Sequence, residues 1–399
     1  MSTAGRTAHE DAPAASEVAS ALRDAAFVRF VARADGESLA ATGLLARACS
    51  DAGIPFQASA TRIPRRCVPD IDASSDGASD GTSSTTADET GAANADDLVV
   101  TVSASGGDVT LANAPSVTAF AVADELDAAP EPVLALAGVV AAGRTPGAED
   151  GAHLLDAAGD RLTRRPGVAV PTADLADGLA HSTLVHAGFS GDSGATQAEL
   201  AELGLPAELD AEAHRRVGSL VALAVAGAES ATARAAETVE RALRPYALPD
   251  APFATLGGYA DVLDAVARER PGTGVALALG HDARTSALDA WRDHASAAHA
   301  TLREATTGRY DGLFVARTDA APVETAARLF RDVRSPEPAA LVVAEDEAAA
   351  ATVDERDLGA TMREAAAAVG GDGTGTARRG YAQFDVASTE FLEAFREAL

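Results

Sequence analysis

Apolar and polar positions alternate along this chain in blocks that read as strands and helices in turn. Val28 to Val31 form a short apolar run, followed by an Asp35-Gly36 turn and an apolar helix from about Ser38 to Ser50. A strand resumes at Leu98 to Val102, and Val133 to Ala142 has the continuous apolarity of a buried helix. Helical spacing recurs around His153 to Ala158 and Thr172 to Ala180. From Asp210 to Leu243 lies a long Ala, Glu and Arg-rich helical pattern, broken near Gly227 and stopped at Arg244-Pro245. Beyond it, the Gly257-Gly258 turn opens a helix ended by Pro271-Gly272. Val275 to Gly280 reads as a buried strand, and a helix runs through Trp291 to Ala305. Gly312 to Arg317 and Ala340 to Glu345 read as strands, separated by a helix over Val323 to Arg331. A helix over Leu358 to Val369 leads through a glycine-rich turn to a strand, and Thr389 to Ala398 closes the chain as a helix.

The alternation predicts an α/β architecture. An N-terminal parallel-sheet domain spans 17–206, a connecting helical segment 207–250, and a smaller C-terminal α/β domain 251–399. Two stretches lack anything to bury: an acidic tail over 1–16 and a Ser, Thr, Asp and Gly-rich insertion over about 69–97, both expected to be disordered. No internal repeat is evident.

Composition narrows the setting. Hydrophobic residues make up 47% of the 399, but aromatics only 4%, so small side chains must fill the cores. The chain has 60 acidic and 32 basic residues, a net charge of −28, and every basic residue is arginine. Dense carboxylates without lysine fit a cytoplasm at molar salt; a mesophilic acidic protein from a GC-rich genome is the alternative. At about 1 M salt the Debye length is ~3 Å, so net charge does not exclude short-range arginine–phosphate contacts. Cys49 lies on the apolar helix and Cys67 in an arginine-rich loop, which is neither a disulfide framework nor a zinc pattern. The N-terminus lacks the apolar core of a signal peptide, and no run of 18 apolar residues occurs, so the expected location is the cytoplasm, away from membranes.

The strand-turn-helix at 28–50 places polar chemistry at the carboxyl end of a strand. With its Asp35-Gly36 turn it resembles the first motif, His-x-Asp-x-Asp-Gly, of the DHH phosphoesterase superfamily, and the archaeal RecJ-like nucleases in particular. The resemblance puts the three ligand positions on Val31, Arg33 and Asp35, of which only Asp35 and the following Gly36 match. Valine donates nothing to a divalent cation and a guanidinium repels it. No Asp-His-His follows the strand at 98–102; Asp108, the nearest carboxylate, reads as a turn or cap residue. The Gly-Asp that completes the family's metal site corresponds to Ala142.

The segment Gly370-Gly371-Asp372-Gly373-Thr374-Gly375-Thr376, with Arg378 and Arg379 after it, resembles the Gly-Gly-x-Gly-x-x-His turn of the DHH-associated domain. There the resemblance implies backbone N–H groups approaching phosphates, with Thr376 in place of histidine. A plain turn before a strand is the competing explanation. Gly370, Gly371, Gly373, Gly375, Thr376, Arg378 and Arg379 are therefore the candidate nucleic-acid contacts, with no catalytic residue beyond the residual Asp35 and no metal ligand set.

Other features weigh less. His181 and His186 lack a third ligand nearby, and Ser190 and Ser193 lack a nucleophile-elbow frame. His281 and Arg284 read as a surface turn, and Arg62, Arg65 and Arg66, like Arg161, Arg164 and Arg165, form basic patches.

Taken in order along nearly the whole chain, the motifs imply a RecJ-like protein that has lost its metal site. The expected role is a non-hydrolytic nucleic-acid-binding or scaffold protein of DNA replication or repair. Its expected partners are single-stranded nucleic acid and replication or repair proteins, with no cofactor. One alternative is an active single-strand exonuclease or small-nucleotide phosphodiesterase using Mn or Mg; another is a protein-interaction module that does not touch nucleic acid.

Overall fold

The computed structural model describes residues 13–64, 97–148, 151–319 and 321–399. The expected disordered insertion falls outside them except for Asp97. So does the expected tail except for residues 13–16, where Ala15 and Ser16 already belong to the first helix.

Four parallel strands form the first sheet, in the order β2-β1-β3-β4: β1 Val28–Arg33, β2 Phe56–Thr61, β3 Leu98–Val102 and β4 Val109–Leu111. Around it pack α1 Ala15–Asp24, α2 Gly36–Asp51, α3 Pro115–Glu125, α4 Pro132–Ala141 and α5 Ala152–Ala158. A two-stranded ribbon pairs β5 Thr163–Arg164 with β6 Tyr246–Ala247. Between these two strands run α6 Leu175–His181, α7 Ser193–Glu202, α8 Ala211–Ala226 and α9 Ala233–Ala242. The expected break near Gly227 is the gap between α8 and α9.

The chain then returns to the first core. The helix α10 Leu256–Glu269 packs on α2 and α4, burying Leu256, Tyr259, Val262, Leu263 and Val266 among residues of β1 and α2. Residues 275–278 are not the expected strand but the body of a helix, α11 Pro271–Ala278, with proline in its first turn. An apolar run of this length does not by itself distinguish strand from helix. Here Gly274 lies against Leu39, which lets α11 sit close on α2. The long helix α12 Arg284–Glu304 buries Trp291 in the first core and Ala298 and Leu302 in the second. The helix α12 thus contributes to both cores, and the second core also draws on residues of α8 and α9.

The second sheet has six strands in the order β11-β12-β10-β9-β8-β7. They are β7 Thr306–Tyr310, β8 Leu313–Arg317, β9 Ala339–Val343, β10 Glu347–Thr352, β11 Asp372–Gly375 and β12 Arg379–Gln383. Only β8 and β9 pair in parallel; the other neighbours are antiparallel. Along β9 and β10 the side chains alternate between two cores. Ala340, Val342, Ala349 and Ala351 face α8, α9 and α13 Val323–Leu329. Ala339, Leu341, Ala348 and Ala350 face α14 Leu358–Ala368 and α15 Ser388–Ala398. Burial on both faces is what a central strand needs. It also explains why Glu347–Thr352, whose alanines favour helix, is a strand: tertiary context overrides a weak local preference.

Candidate functional site

At the end of β1, Asp35 caps α2. Its backbone is extended, its Oδ1 accepts from Ser38 N–H at 2.9 Å, and its Oδ2 accepts from Arg33 Nε at 2.6 Å. Burial alone would raise the pKa of Asp35, but the Arg33 charge and the Ser38 bond outweigh it and hold the carboxyl below its usual range.

Gly36 is needed here for close approach rather than for a left-handed backbone. A Cβ on it would lie 2.7 Å from Ala141 Cβ and 2.9 Å from the backbone nitrogen of Asp264. That proximity lets Gly36 N–H donate to Asp264 Oδ1 at 3.0 Å. Asp264 Oδ2 lies 2.7 Å from Arg268 NH1, and Arg268 Nε donates to Glu324 Oε2 at 2.9 Å. The Arg268 side chain is 3% exposed, so this is a buried carboxylate–guanidinium–carboxylate chain running from α10 to α13. Against the opposing cost of burial, Arg268 and then Arg379 hold the Asp264 carboxyl far below its ordinary range.

Next along α2, Glu37 accepts from Ser116 Oγ at 3.1 Å and pairs with Arg144. Desolvation dominates at this carboxyl and pushes it up to about 7, although Arg144 opposes the shift.

The other first-domain positions are structural. Ser103 adopts a left-handed φ of 55° and its Oγ accepts from Ser38 Oγ at 2.8 Å, while Asp108 caps the start of β3 by accepting from Val99 N–H at 2.8 Å. Ala142 is the C-cap of α4.

The metal implied by the family resemblance does not fit these residues. Asp35 is taken by Arg33, Asp264 by Arg268, and Val31 and Arg33 occupy two of the expected ligand positions. Among the described residues, no group of three or more His, Cys, Asp or Glu side chains is arranged to hold a metal ion.

The glycine-rich segment is not an open phosphate loop. Asp372 to Gly375 are strand β11, paired with β12 and packed on α14. A Cβ on Gly373 would meet Met362 O at 2.5 Å, and one on Gly375 would meet Arg379 O at 2.2 Å. Thr376 N–H closes the hairpin onto Arg379 O at 2.7 Å. Gly370, with a left-handed φ of 74°, and Gly371 make the turn out of α14. Arg378 is exposed and lies 3.4 Å from Glu355. Of the seven candidates, Arg379 is the one whose side chain reaches the cleft, where its NH2 donates to Ala141 O at 3.2 Å.

Arg379 enters a cavity of about 590 Å³ between the ends of α4 and α9, the face of α10 and the end of α13. Seven arginines line it, against Glu237, Glu240, Asp261, Asp264 and Asp332. Arg328 and Arg331 come from α13 and from the π-helical turn Phe330–Arg334 that extends it, closed by Ser335 N–H on Phe330 O at 2.7 Å. Such turns often mark functional positions. Sequence reasoning missed Asp264, Arg268, Arg328 and Arg331; the available signal was charge within otherwise apolar helical patterns.

The remaining sequence candidates lie apart. His181 packs edge-on against Trp291 and pairs with Asp177, whereas His186 Nδ1 is 3.0 Å from His299 Nδ1. Ser190 Oγ accepts from Ala187 N–H, Ser193 opens α7, and His281 is exposed. Arg284 donates to Pro252 O. Arg62 pairs with Glu347 and lies 5.6 Å from the centroid of the Tyr381 ring. Arg161 pairs with Glu131, and Arg164 lies over Tyr246. Cys49 is buried; Arg65, Arg66 and Cys67 lie outside the described residues.

Comparison with known proteins places this arrangement. The chain is 52% identical over 404 residues to uncharacterized protein rrnAC1427 of Haloarcula marismortui, covering all of both chains. It belongs to the rrnAC1427 family. The model of the rrnAC1427 C-terminal domain matches residues 305–397, the span from β7 to the end of α15. Among solved structures, the rrnAC1427-family fold is similar to CDC45 from Entamoeba histolytica, with a TM-score of 0.54 and 8% identity over 96% of this chain and 98% of the other. The structure of exonuclease RecJ bound to manganese gives a TM-score of 0.45 at 15% identity, over 98% and 95%. The likeness to CDC45 is one of fold, in a chain whose four-stranded parallel sheet is N-terminal and whose six-stranded mixed sheet is C-terminal. No helix among the described residues is long and apolar enough to cross a membrane.

Proposed function

We propose that this rrnAC1427-family chain is a RecJ-like protein that does not hydrolyse phosphodiesters and serves DNA replication or repair by holding single-stranded nucleic acid. One observation carries the reading: the carboxylates at the end of β1 are neutralised by buried arginines, Asp35 by Arg33 and Asp264 by Arg268. Fixed guanidinium groups occupy the surroundings of the carboxylates that a divalent cation would need, and without the cation there is no activated water to attack phosphorus. The CDC45-like fold and the arginine-lined cleft support a binding role in its place. Arg379 is the proposed contact from the glycine-rich segment, and the glycines around it serve packing. The lysine-free acidic composition and a relative from Haloarcula marismortui support work in a cytoplasm at high salt.

The test is turnover and binding in concentrated KCl with Mn, using single-stranded DNA, RNA and dinucleotides. We expect binding of a single strand without cleavage, unchanged in this respect by Asp35→Ala. Cleavage abolished by that substitution would reject the reading.

A further inference from the structure

We infer that the cavity beside Asp264 is a binding site for a nucleoside monophosphate, whose phosphate is held by Arg328, Arg331 and Arg379. This deepens the reading above and rests on its premise that the cleft takes phosphate without cleaving it.

The charge balance inside the cavity is the first argument. Arg328 donates to Thr183 O and Oγ1, both at 2.9 Å, and Arg379 to Ala141 O. Among the described residues, neither has a carboxylate at ion-pair distance. Arg331 shares Asp332 with Arg241, at 2.5 and 3.6 Å, and Asp264 is already paired with Arg268. Of the three guanidinium groups, Arg331 alone is thus ion-paired, through an Asp332 that it shares with Arg241. Burial, followed by incompletely compensating carboxylates and the neighbouring arginines, lowers the proton affinity of all three. A bound dianion would relieve that imbalance, and forked guanidinium donors match phosphate oxygens.

Size and lining select the rest of the ligand. At about 590 Å³ the cavity falls within the range of roughly 300–1,000 Å³ that encloses small molecules. Leu184, Leu243, Leu256 and the ring of Tyr246 supply an apolar surface for a base, and Arg164 lies over that ring at 4.7 Å from its centroid. A strand binding through exposed arginines such as Arg378 would be screened in molar salt, whereas groups inside a cavity are screened much less.

Calorimetric and thermal-shift titration of the full chain in high KCl with AMP, inorganic phosphate and a single-stranded 12-mer tests this. AMP should bind more tightly than phosphate and raise the melting temperature. Arg331→Gln and Arg379→Gln should each weaken AMP at least roughly tenfold, as expected for loss of a charged hydrogen-bonding partner, while Arg378→Gln leaves it unchanged. Should Arg379→Gln fail to fold, Arg331→Gln and Arg328→Gln decide. AMP binding that all three substitutions leave intact would overturn the inference. So would a bound 12-mer with no AMP binding, an outcome that leaves the proposed function standing. AMP binding accompanied by Mn-dependent cleavage of the 12-mer would do the reverse.

Discussion

Arg268 lies between Asp264 and Glu324, its NH1 2.7 Å from the first carboxylate and its Nε 2.9 Å from the second. The pair Asp264–Arg268 spans one turn of α10, so a single helix supplies both charges to the end of β1. In so dry a setting neither partner can be removed without stranding the other.

Arg268→Met should destabilise the protein by about 3–5 kcal/mol, because Asp264 and Glu324 would both lose a buried counter-charge. Urea denaturation at high salt reads this as a lower midpoint with an unchanged slope. A loss below about 1 kcal/mol would show that the chain is better solvated than its burial implies.

Glu37 should give the fold a pH dependence of unusual sign for a carboxylate. Its folded pKa, about 7, lies above its ordinary 4.5, so the fold favours the protonated form. Its contribution is complete below 4.5 and is lost as pH rises through 7. Wild type should therefore lose up to about 3 kcal/mol relative to Glu37→Gln across that window. Asp264, held low by Arg268, works in the opposite direction: its stabilisation is present above the ordinary carboxylate range and fails only in acid. Paired denaturation curves at pH 4.5, 6 and 8 measure the difference, and parallel curves would refute the Glu37 assignment.

Gly373→Ala should cost about 1–3 kcal/mol through overpacking against the backbone of α14, since its Cβ would lie 2.5 Å from Met362 O and 2.7 Å from Arg363 Cα. Nucleic-acid affinity per folded molecule should be unchanged. A stable variant that had lost affinity would return this segment to the role of a phosphate loop.

Part of the fold was legible because the two central strands of the first sheet, β1 and β3, are short apolar runs and because Asp35-Gly36 marks a helix start, whereas β2 and β4, at the edges, carry no such run. The strand expected at Val275 to Gly280 failed for a physical reason: it is a run of small apolar residues with no periodicity of its own, so packing alone decides between helix and strand. The departure from the family's first motif at Val31 and Arg33 was visible at once. The replacement network was not: Asp264 and Arg268 stand more than 220 residues from Asp35, and only the return of α10 to the first core brings them there. Arg379 was found through its glycine neighbours, although those glycines serve close packing against α14.

The buried ionic chain also has a mechanical side. Gly36 at the end of β1, Asp264 and Arg268 on α10, and Glu324 on α13 are linked in series, and α13 lies directly on β9 and β10 of the other sheet. Opening the two sheets relative to each other would have to expose at least one of these charges midway. The bonds that occupy the surroundings of Asp35 therefore also act as a bolt, holding the two halves of the molecule at a fixed separation.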